Sequence, residues 1–564
     1  MSQSKSNCQI LSIFLVAMTL VVSILFVTTK ICSAATRQME ALDRGIIAIE
    51  TNNGVFISWR ALGTESMSTG YNLYRDSEKI NNSPLTESTN YVDSSGNSNS
   101  TYFVAAVVNG EEQQASETVD VRKQSYLDIP MQVPPGGTTP DGVSYTYSAN
   151  DCSVGDLDDD GQYEIIVKWD PSNAKDNSQS GYTGNVYLDA YKLDGTRLWR
   201  IDLGVNIRAG AHYTQFIVYD LDGDGKSEVA CKIADGMIDG TGSVFGDSNA
   251  DYRNSSGYIL SGPEYLGIFS GESGRLLEYV TYQPERGTVS NWGDSYGNRI
   301  DRFLAGVAYL DGERPSLIMC RGYYTRSVVV AWDYRNGNLT QRWIFDSDKN
   351  NTSYAGQGNH QLSIADVDGD GKDEIIYGAC TIDDNGSGKY NSGLGHGDAL
   401  HVGDLNPNRS GLEIWSCFES NSVGAALRDA NTGAIIFQYN SSDDVGRACS
   451  ADITANYPGE EMWASSGCPL YSSTGEKIGS APSQINFAIW WDGDELRELL
   501  DGTTITKYGA GTLLSASNNQ ANNGSKSTPC LSADIFGDWR EEVIFRTPDS
   551  SLLTIFTTTY TTDR

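Results

Sequence analysis

The feature that most constrains this chain is an acidic motif that returns along its length. VGDLDDDGQYEIIVKW begins at Val154, VYDLDGDGKSEVACKI at Val218 and IADVDGDGKDEIIYGA at Ile364. Each has the form D-x-D-x-D-G-x-x-E and runs directly into β-branched and apolar residues. Weaker copies are VGDLNP around Asp404, SADI around Asp452, SADIFGDWREEV around Asp534, and AYLDGE, where Tyr309 takes the first acidic position. Marks at 156, 220, 309, 366, 404, 452 and 534, unevenly spaced, read as one building block carrying variable insertions. Periods of this order belong to propellers and other arrays.

The residues between the marks agree. EIIVKW, NVYLDAYKL, QFIVYDL, SVVVAWDY and LLTIFTT are short alternating or apolar runs, separated by Asp-Gly, Asn-Gly and Ser-Gly pairs. Such runs are strands and such pairs are turns. Helical periodicity is nearly absent, and 495–500 is the best candidate for one short turn. The chain is therefore expected to be all-β, with seven or eight propeller blades. Residues 36–125 lack the acidic repeat yet alternate well (GVFISW, YNLYRD, YFVAAVV). They read as a small β-sheet or sandwich-like module. Pro130, Pro134 and Pro135 mark a linker into the propeller domain over 126–564. Residues 1–35 carry a positive start at Lys5, an apolar stretch from Leu11 to Val27 and small residues at Ser33-Ala34-Ala35. That pattern reads as a secretory signal, with a membrane anchor as the alternative. A secreted, extracellular protein free of the membrane after cleavage is expected.

Composition excludes several classes. With 73 acidic and 40 basic residues the net charge is −33, the opposite of a nucleic-acid footprint. At 39 % hydrophobic and 10 % aromatic, the chain is too apolar to remain disordered. No C-x-x-C pair suggests zinc, and Cys231, Cys320 and Cys380 fall at the ends of apolar runs, as buried thiols do.

The carboxylates themselves look like cation ligands. Acids at alternate positions converge when a loop curls, and Gly after the fifth allows the sharp turn. The candidate ligands are Asp156, Asp158, Asp160 and Glu164; Asp220, Asp222, Asp224 and Glu228; and Asp366, Asp368, Asp370 and Glu374. The Glu comes at position nine with a strand after it, so this is not the helix-flanked calcium loop. Several calcium ions are expected, serving first to staple strand turns. Tyr309 removes ligands from its copy, which is expected to bind no ion. The four histidines, His212, His360, His396 and His401, all lie in Gly-rich stretches, where close approach of a ligand is easier than in a core strand.

QGNHQLSIADVDGDGKDE from Gln357, GLGHGDALH from Gly393, YSAND from Tyr147, KWDPSN from Lys168, GDSYGNR from Gly293 and ANNGS from Ala521 together resemble bacterial rhamnogalacturonan lyases of polysaccharide lyase family 11. The likeness runs from about Ala41 to the end. It implies an eight-bladed propeller with several bound calcium ions. It implies cleavage of the rhamnose-(1→4)-galacturonate bonds of rhamnogalacturonan I by β-elimination, with endo action the commoner mode. Members of that family continue beyond Arg564 through an aromatic-rich segment that completes the propeller and adds a Tyr to the cleft.

Elimination needs a base for H5 of the galacturonate and neutralisation of its carboxylate. A lysine beside other cations can serve as the base, since neighbouring positive charge lowers its pKa. By resemblance, Lys526 is the base and Arg447 the carboxylate partner, a division that could be reversed. His360, His396, Asp398 and Glu419 resemble the family's cleft calcium site. Asn150, Asp170, Asn523 and Gly524 resemble its sugar contacts, with Ser525 where Thr is usual. A monomer acting on rhamnogalacturonan I polysaccharide or oligosaccharides is expected. A non-catalytic calcium-stapled propeller that binds glycans or partner proteins is the alternative. The set HGD, DVGR and NNGSK separates the two, because a pure adhesion module has no use for it.

Overall fold

The computed structural model describes residues 37–349, 352–419 and 422–563. The signal segment read at 1–35 lies outside the described residues, and among these no helix is long and apolar enough to cross a membrane. Alternating runs become strands throughout. The only helical elements among the described residues are two short 3-10 turns, Val289–Trp292 and Thr352–Tyr354.

Eight antiparallel sheets of four strands follow one another over 147–202, 216–281, 303–346, 363–391, 400–440, 448–479, 487–515 and 531–556, here numbered sheets 1 to 8. In sheets 1 to 7 the strands pair in chain order. Sheet 8 has three strands of its own and takes its fourth from Tyr126–Pro130, with Leu552 opposite Pro130 and Phe556 opposite Tyr126. The fourth strand of sheet 8 thus comes from the N-terminal side of the chain. Pro130 is tolerated there because an edge strand leaves one row of N–H groups unpaired.

Every copy of the acidic motif is the turn between the first and second strand of a sheet. The Glu that ends the motif is the first residue of the second strand in Glu164–Pro171, Glu228–Ile233, Glu374–Tyr377, Glu413–Cys417, Glu461–Ala464 and Glu542–Arg546. Sheet 7 supplies a copy not recognised in sequence, Trp490-Trp491-Asp492-Gly493-Asp494 leading to Glu498. The short helical turn expected over 495–500 is therefore overturned. Residues 495–497 are loop, and Glu498–Asp501 is a strand. The uneven spacing of the marks comes from insertions elsewhere, such as 234–264 inside sheet 2.

The cores fill the spaces between successive sheets. One joins Ile166 and Leu188 of sheet 1 to Val229 and Phe269 of sheet 2. Others join sheets 2 and 3, 3 and 4, 4 and 5, 5 and 6, 6 and 7, and 7 and 8 in the same way. The last joins Ile544 and Ile555 of sheet 8 to Ile165 and Trp169 of sheet 1. Trp169, Trp415 and Trp463 are fully buried in these seams; truncating any one to Ala costs about 3–5 kcal/mol. All eight cysteines among the described residues are buried free thiols, as expected of Cys231, Cys320 and Cys380.

Residues 46–122 form two further sheets. Ile47–Thr51, Gly54–Ser58 and Asn90–Asp93 make one; Gly70–Arg75 and Thr101–Val108 are central in the other. Val55, Ile57 and Trp59 of the first share a core with Leu73, Tyr102 and Val104 of the second. The segment before them runs past the acidic turns. Asp43 N–H donates to Gly161 O at 2.9 Å, and Gln38 Nε2 donates to Asp220 O at 2.9 Å. Tyr309 finds its role here. Its hydroxyl donates to Gln38 O at 2.6 Å, so the residue that replaced a ligand has become a clasp.

Because first and second strands are antiparallel, residues before a first strand and after a second strand share one end of the sheets. The acidic turns occupy the other end.

Candidate functional site

At the acidic end the loops organise themselves. In sheet 1, Asp156 accepts the N–H groups of Asp159, Asp160 and Gly161 at 2.8–3.2 Å, and Glu164 reaches back to Leu157 N–H at 2.9 Å. Gly161 has φ +87°, and a Cβ there would lie 2.9 Å from the Asp43 nitrogen. Asp220 with Glu228, and Asp366 with Glu374, repeat this pattern. Carboxylate oxygens of Asp156, Asp158 and Glu164 thereby come within 4.8 Å of one another. The trios Asp220, Asp222, Glu228 and Asp366, Asp368, Glu374 do the same. The fifth-position acids Asp160, Asp224 and Asp370 each give one oxygen to the N–H two residues on.

These trios suit a cation. Burial, with neighbouring carboxylates adding, pushes Glu228 up to about 8 and Glu164 and Glu374 up to about 7. Asp158 Oδ1, Asp222 Oδ1 and Glu374 Oε1 are buried without a hydrogen-bond partner, a cost that a bound hard cation removes. Some trios already hold an ammonium. Lys192 Nζ is 2.7 Å from Asp158, Lys389 Nζ 2.6 Å from Asp368, and Lys507 Nζ 2.6, 2.8 and 2.9 Å from Asp492, Asp494 and Glu498.

The opposite end carries different chemistry. His360 precedes sheet 4, His396 and Asp398 precede sheet 5, and Glu419 follows the second strand of sheet 5. One ligand atom from each lies within 4.8 Å of the others. His360 Nε2 is 3.3 Å from Asp398 Oδ1, and His396 Nε2 is 3.4 Å from Glu419 Oε1. His396 Nδ1 sits 2.6 Å from the Gly358 carbonyl. That contact makes Nδ1 the protonated nitrogen and leaves the buried Nε2, which has no well-formed hydrogen bond, as a free lone pair. Gly397 lets the two ligands flank it, since a Cβ there would meet Cys417 O at 2.0 Å. Burial, then the nearby His396, His212, Arg302 and Lys526, push His360 down to about 2, so it is neutral. Two imidazoles and two carboxylates around one point fit a divalent cation.

Lys526 reaches this cluster, and Arg447 shares a cavity with its Asp398. Lys526 Nζ stands 3.7 Å from Asp398 Oδ2, with its side chain 59 % exposed. Arg447 Nη2 donates to Ser525 Oγ at 3.2 Å. Both line a cavity of about 680 Å³ together with Asp398, Asp151 and His401. Asn523 and Gly524, before Ser525, both take φ +60°, the tight turn that presents Lys526. Asn150 Nδ2 donates to Asp170 Oδ2 at 3.4 Å, and burial raises the Asp170 pKa although Lys168 opposes it. Cys152 N–H donates to Cys530 O at 2.8 Å, tying the Asn150 strand to the segment after Lys526.

The other two histidines divide. His401 Nε2 lies 3.0 Å from the Ala448 carbonyl, outside the ligand cluster. His212 packs against His360 with ring centroids 5.2 Å apart. Sequence reasoning missed Tyr323 and Tyr324, whose hydroxyls lie 3.1 and 2.9 Å from the two nitrogens of His360. They directly follow the second strand of sheet 3, the place Glu419 holds in sheet 5. Phasing the repeat against the strands would have flagged them.

Comparison with known proteins fits this geometry. Residues 126–564 match the model of the rhamnogalacturonan lyase family 11 C-terminal domain, and 37–122 that of the rhamnogalacturonan I lyase beta-sheet domain. The chain belongs to rhamnogalacturonan lyase family 11. It is 59 % identical to rhamnogalacturonan endolyase YesW of Bacillus subtilis, covering 97 % of this chain and 90 % of that protein. It is 57 % identical to rhamnogalacturonan exolyase YesX of the same organism, covering 93 % and 90 %. The solved structure of a Bacillus licheniformis family 11 rhamnogalacturonan lyase superposes with a TM-score of 0.92 at 60 % identity, covering 94 % of this chain and 92 % of that one. Within family 11 the acidic turns and the His–carboxylate cleft are thus two ends of one all-β scaffold.

Proposed function

We propose that this chain is a secreted, calcium-dependent rhamnogalacturonan lyase, acting within the polymer as a monomer. It breaks rhamnose-(1→4)-galacturonate bonds of rhamnogalacturonan I by β-elimination. The observation that carries this is one cavity lined by Lys526, Arg447 and Asp398, the last of which also belongs to the cluster with His360, His396 and Glu419. The eight sheets, with their seams running from sheet 1 round to sheet 8 and back, are read as the blades of a propeller over 126–564. The two small sheets are read as a sandwich module over 36–125.

The chemistry follows from placement. His360, His396, Asp398 and Glu419 would hold a divalent cation, which would supply neutralisation of a uronate carboxylate so that charge developing at C5 is not added to a full negative charge. Arg447 faces the same carboxylate. Lys526 takes the C5 proton, the C5–H electron pair becomes the C4=C5 double bond, and the C4–O bond breaks with its oxygen leaving on rhamnose and taking a proton from water. Asn150, Asp170, Asn523, Gly524 and Ser525 hold the sugar so that H5 faces Nζ. Calcium is proposed for the loops and the cleft. Imidazole ligands are unusual for calcium, so metal analysis of the protein with and without the His396→Ala change decides the cleft ion.

The test is ultraviolet absorbance of unsaturated uronate when rhamnogalacturonan I is added, with and without chelator. A rise that the chelator abolishes and calcium restores supports the reading. No rise leaves a polysaccharide-binding scaffold. The distribution of product sizes decides endo against exo action, since relatives of both kinds are nearly equally similar.

A further inference from the structure

One sequence motif has no role in this scheme: GDSYGNR, 293–299. In the fold it is a fixed loop between Val289–Trp292 and sheet 3. The Asp294 carboxylate accepts the N–H groups of Tyr296, Gly297 and Arg299 at 3.0, 2.8 and 2.7 Å. Gly297 takes φ +93°. Asn298 accepts from Arg302 Nη2 at 2.6 Å and Nε at 3.0 Å. All of these bonds serve to hold Arg299 in place.

The Arg299 guanidinium lies 3.9 Å from the centroid of the Tyr324 ring, whose hydroxyl is 2.9 Å from His360 Nε2. Its charge also acts on Glu419 of the metal cluster. Several other half-buried arginines here have acid partners: Arg326 meets Asp346 at 2.6 Å, Arg200 meets Asp189 at 2.6 Å, and Arg44 meets Glu65 at 2.5 Å, whereas Arg122 lies over the Phe536 ring away from the histidine cluster. Among the described residues, Arg299 has no acid within ion-pair reach and its guanidinium donates no hydrogen bond. What sets Arg299 apart is its place: an unpaired guanidinium held by Tyr324 next to His360 is free to meet an external anion.

We propose that Arg299 binds the carboxylate of a second galacturonate, a neighbour in the polymer of the one that Lys526 deprotonates. The reacting uronate is served from the Asp398 side, by Lys526 and by Arg447 with Ser525. Arg299 stands on the Tyr324 and Glu419 side. A backbone in which rhamnose and galacturonate alternate offers its next carboxylate two sugars along, and a planar fork matches that group bidentately. Arg299 is then a determinant of substrate length and charge, and the inference rests on the lyase reading above.

Arg299→Gln and Arg299→Lys test it. On rhamnogalacturonan I, Arg299→Gln is expected to raise KM about tenfold with kcat within twofold, and Arg299→Lys to recover part of the loss. A hundredfold fall in kcat would place Arg299 on the reacting uronate and overturn the proposal, as would an unchanged KM. A second arm needs no turnover. In a Lys526→Ala background, calorimetric titration with oligosaccharides bearing two or more galacturonates should show about tenfold weaker binding when Arg299→Gln is added. If the wild-type protein shows no lyase activity yet this weakening appears, the lyase reading fails and the Arg299 site stands. Equal binding by both proteins removes the site. The side chain donates no hydrogen bond within the protein, so the stacking on Tyr324 is its main internal contact, and melting curves of both variants confirm that folding does not confound the result.

Discussion

The two ends of the sheets both gather carboxylates around a point, and they do so by opposite means. In an acidic turn, nine residues supply the ligands, the glycine that lets them converge and the Glu that opens the next strand. Asp220 spends its oxygens on Gly223 and Gly225 N–H, so the loop is shaped before any ion arrives. In the cleft no such unit exists. His360, His396 and Glu419 are set by three separate segments, Lys526 comes from the approach to sheet 8, and Arg447 from the approach to sheet 6. The turns are local and repeated, whereas the cleft exists only once distant sheets have assembled. Cations bound at the first end should govern stability, and those at the second should govern turnover.

Lys526→Ala is the sharpest break available. Losing a base that touches the reacting proton should lower kcat at least a thousandfold, while metal content and melting temperature stay unchanged. Activity within tenfold of wild type would take Lys526 out of the chemistry. Next in size, His396→Ala should cost about a hundredfold in activity, as loss of a metal ligand does. It should release one ion per chain and leave the turn ions in place, as read by elemental analysis. Release of several ions at once would mean that the two ends are not independent.

The same contrast explains what could be read from sequence. The turns were legible because each is encoded within nine residues. The copy at 490–498 escaped because Trp490 stands at the first acidic position and Leu496-Arg497-Glu498 reads as helix. Its identity shows only in three dimensions, where Glu498 Oε2 accepts Trp491 N–H at 2.9 Å just as Glu164 accepts that of Leu157. The pairing of Tyr126–Pro130 with Leu552–Phe556 was not legible, since no local signal links segments that far apart. His360, His396 and Asp398 stood out by rarity and glycine context. Tyr323 and Tyr324 lie outside every acidic motif, and only the repeat phased against the strands places them at the site.

Proton linkage offers a milder test of the acidic end. Without metal, Glu228 titrates near 8 and Glu164 and Glu374 near 7, against an ordinary 4.5. The folded protein then keeps protons that the unfolded chain has already released. Metal-free stability should be full below about pH 4.5 for these groups and fall as pH rises through 7 to 8. Calcium replaces those protons, so the rise in melting temperature on adding it should be larger at pH 8 than at pH 5. A calcium effect independent of pH would mean that these carboxyls are not its ligands.

The smallest effect separates two turns that look alike in sequence. Asp222 and Asp311 hold the same third position, in sheets 2 and 3. Asp222 Oδ1 is buried without a partner beside Asp220 and Glu228, whereas Asp311 accepts the N–H groups of Glu313 and Arg314 and pairs with Arg314 at 3.4 Å. Asp222→Ala should therefore remove a bound ion and its mass-action stabilisation, about 2.7 kcal/mol with calcium at a hundred times Kd, and the loss should vanish in chelator. Asp311→Ala should lose only its turn bonds, about 0.5–1.5 kcal/mol, equally with and without calcium. Paired melts of the two variants in calcium and in chelator read this directly. If Asp311→Ala proves as calcium-sensitive as Asp222→Ala, then Tyr309, clasped to Gln38, has not taken its turn out of the metal-binding set. If Asp222→Ala instead abolishes activity in a folded protein, the division between a stabilising end and a catalytic end fails.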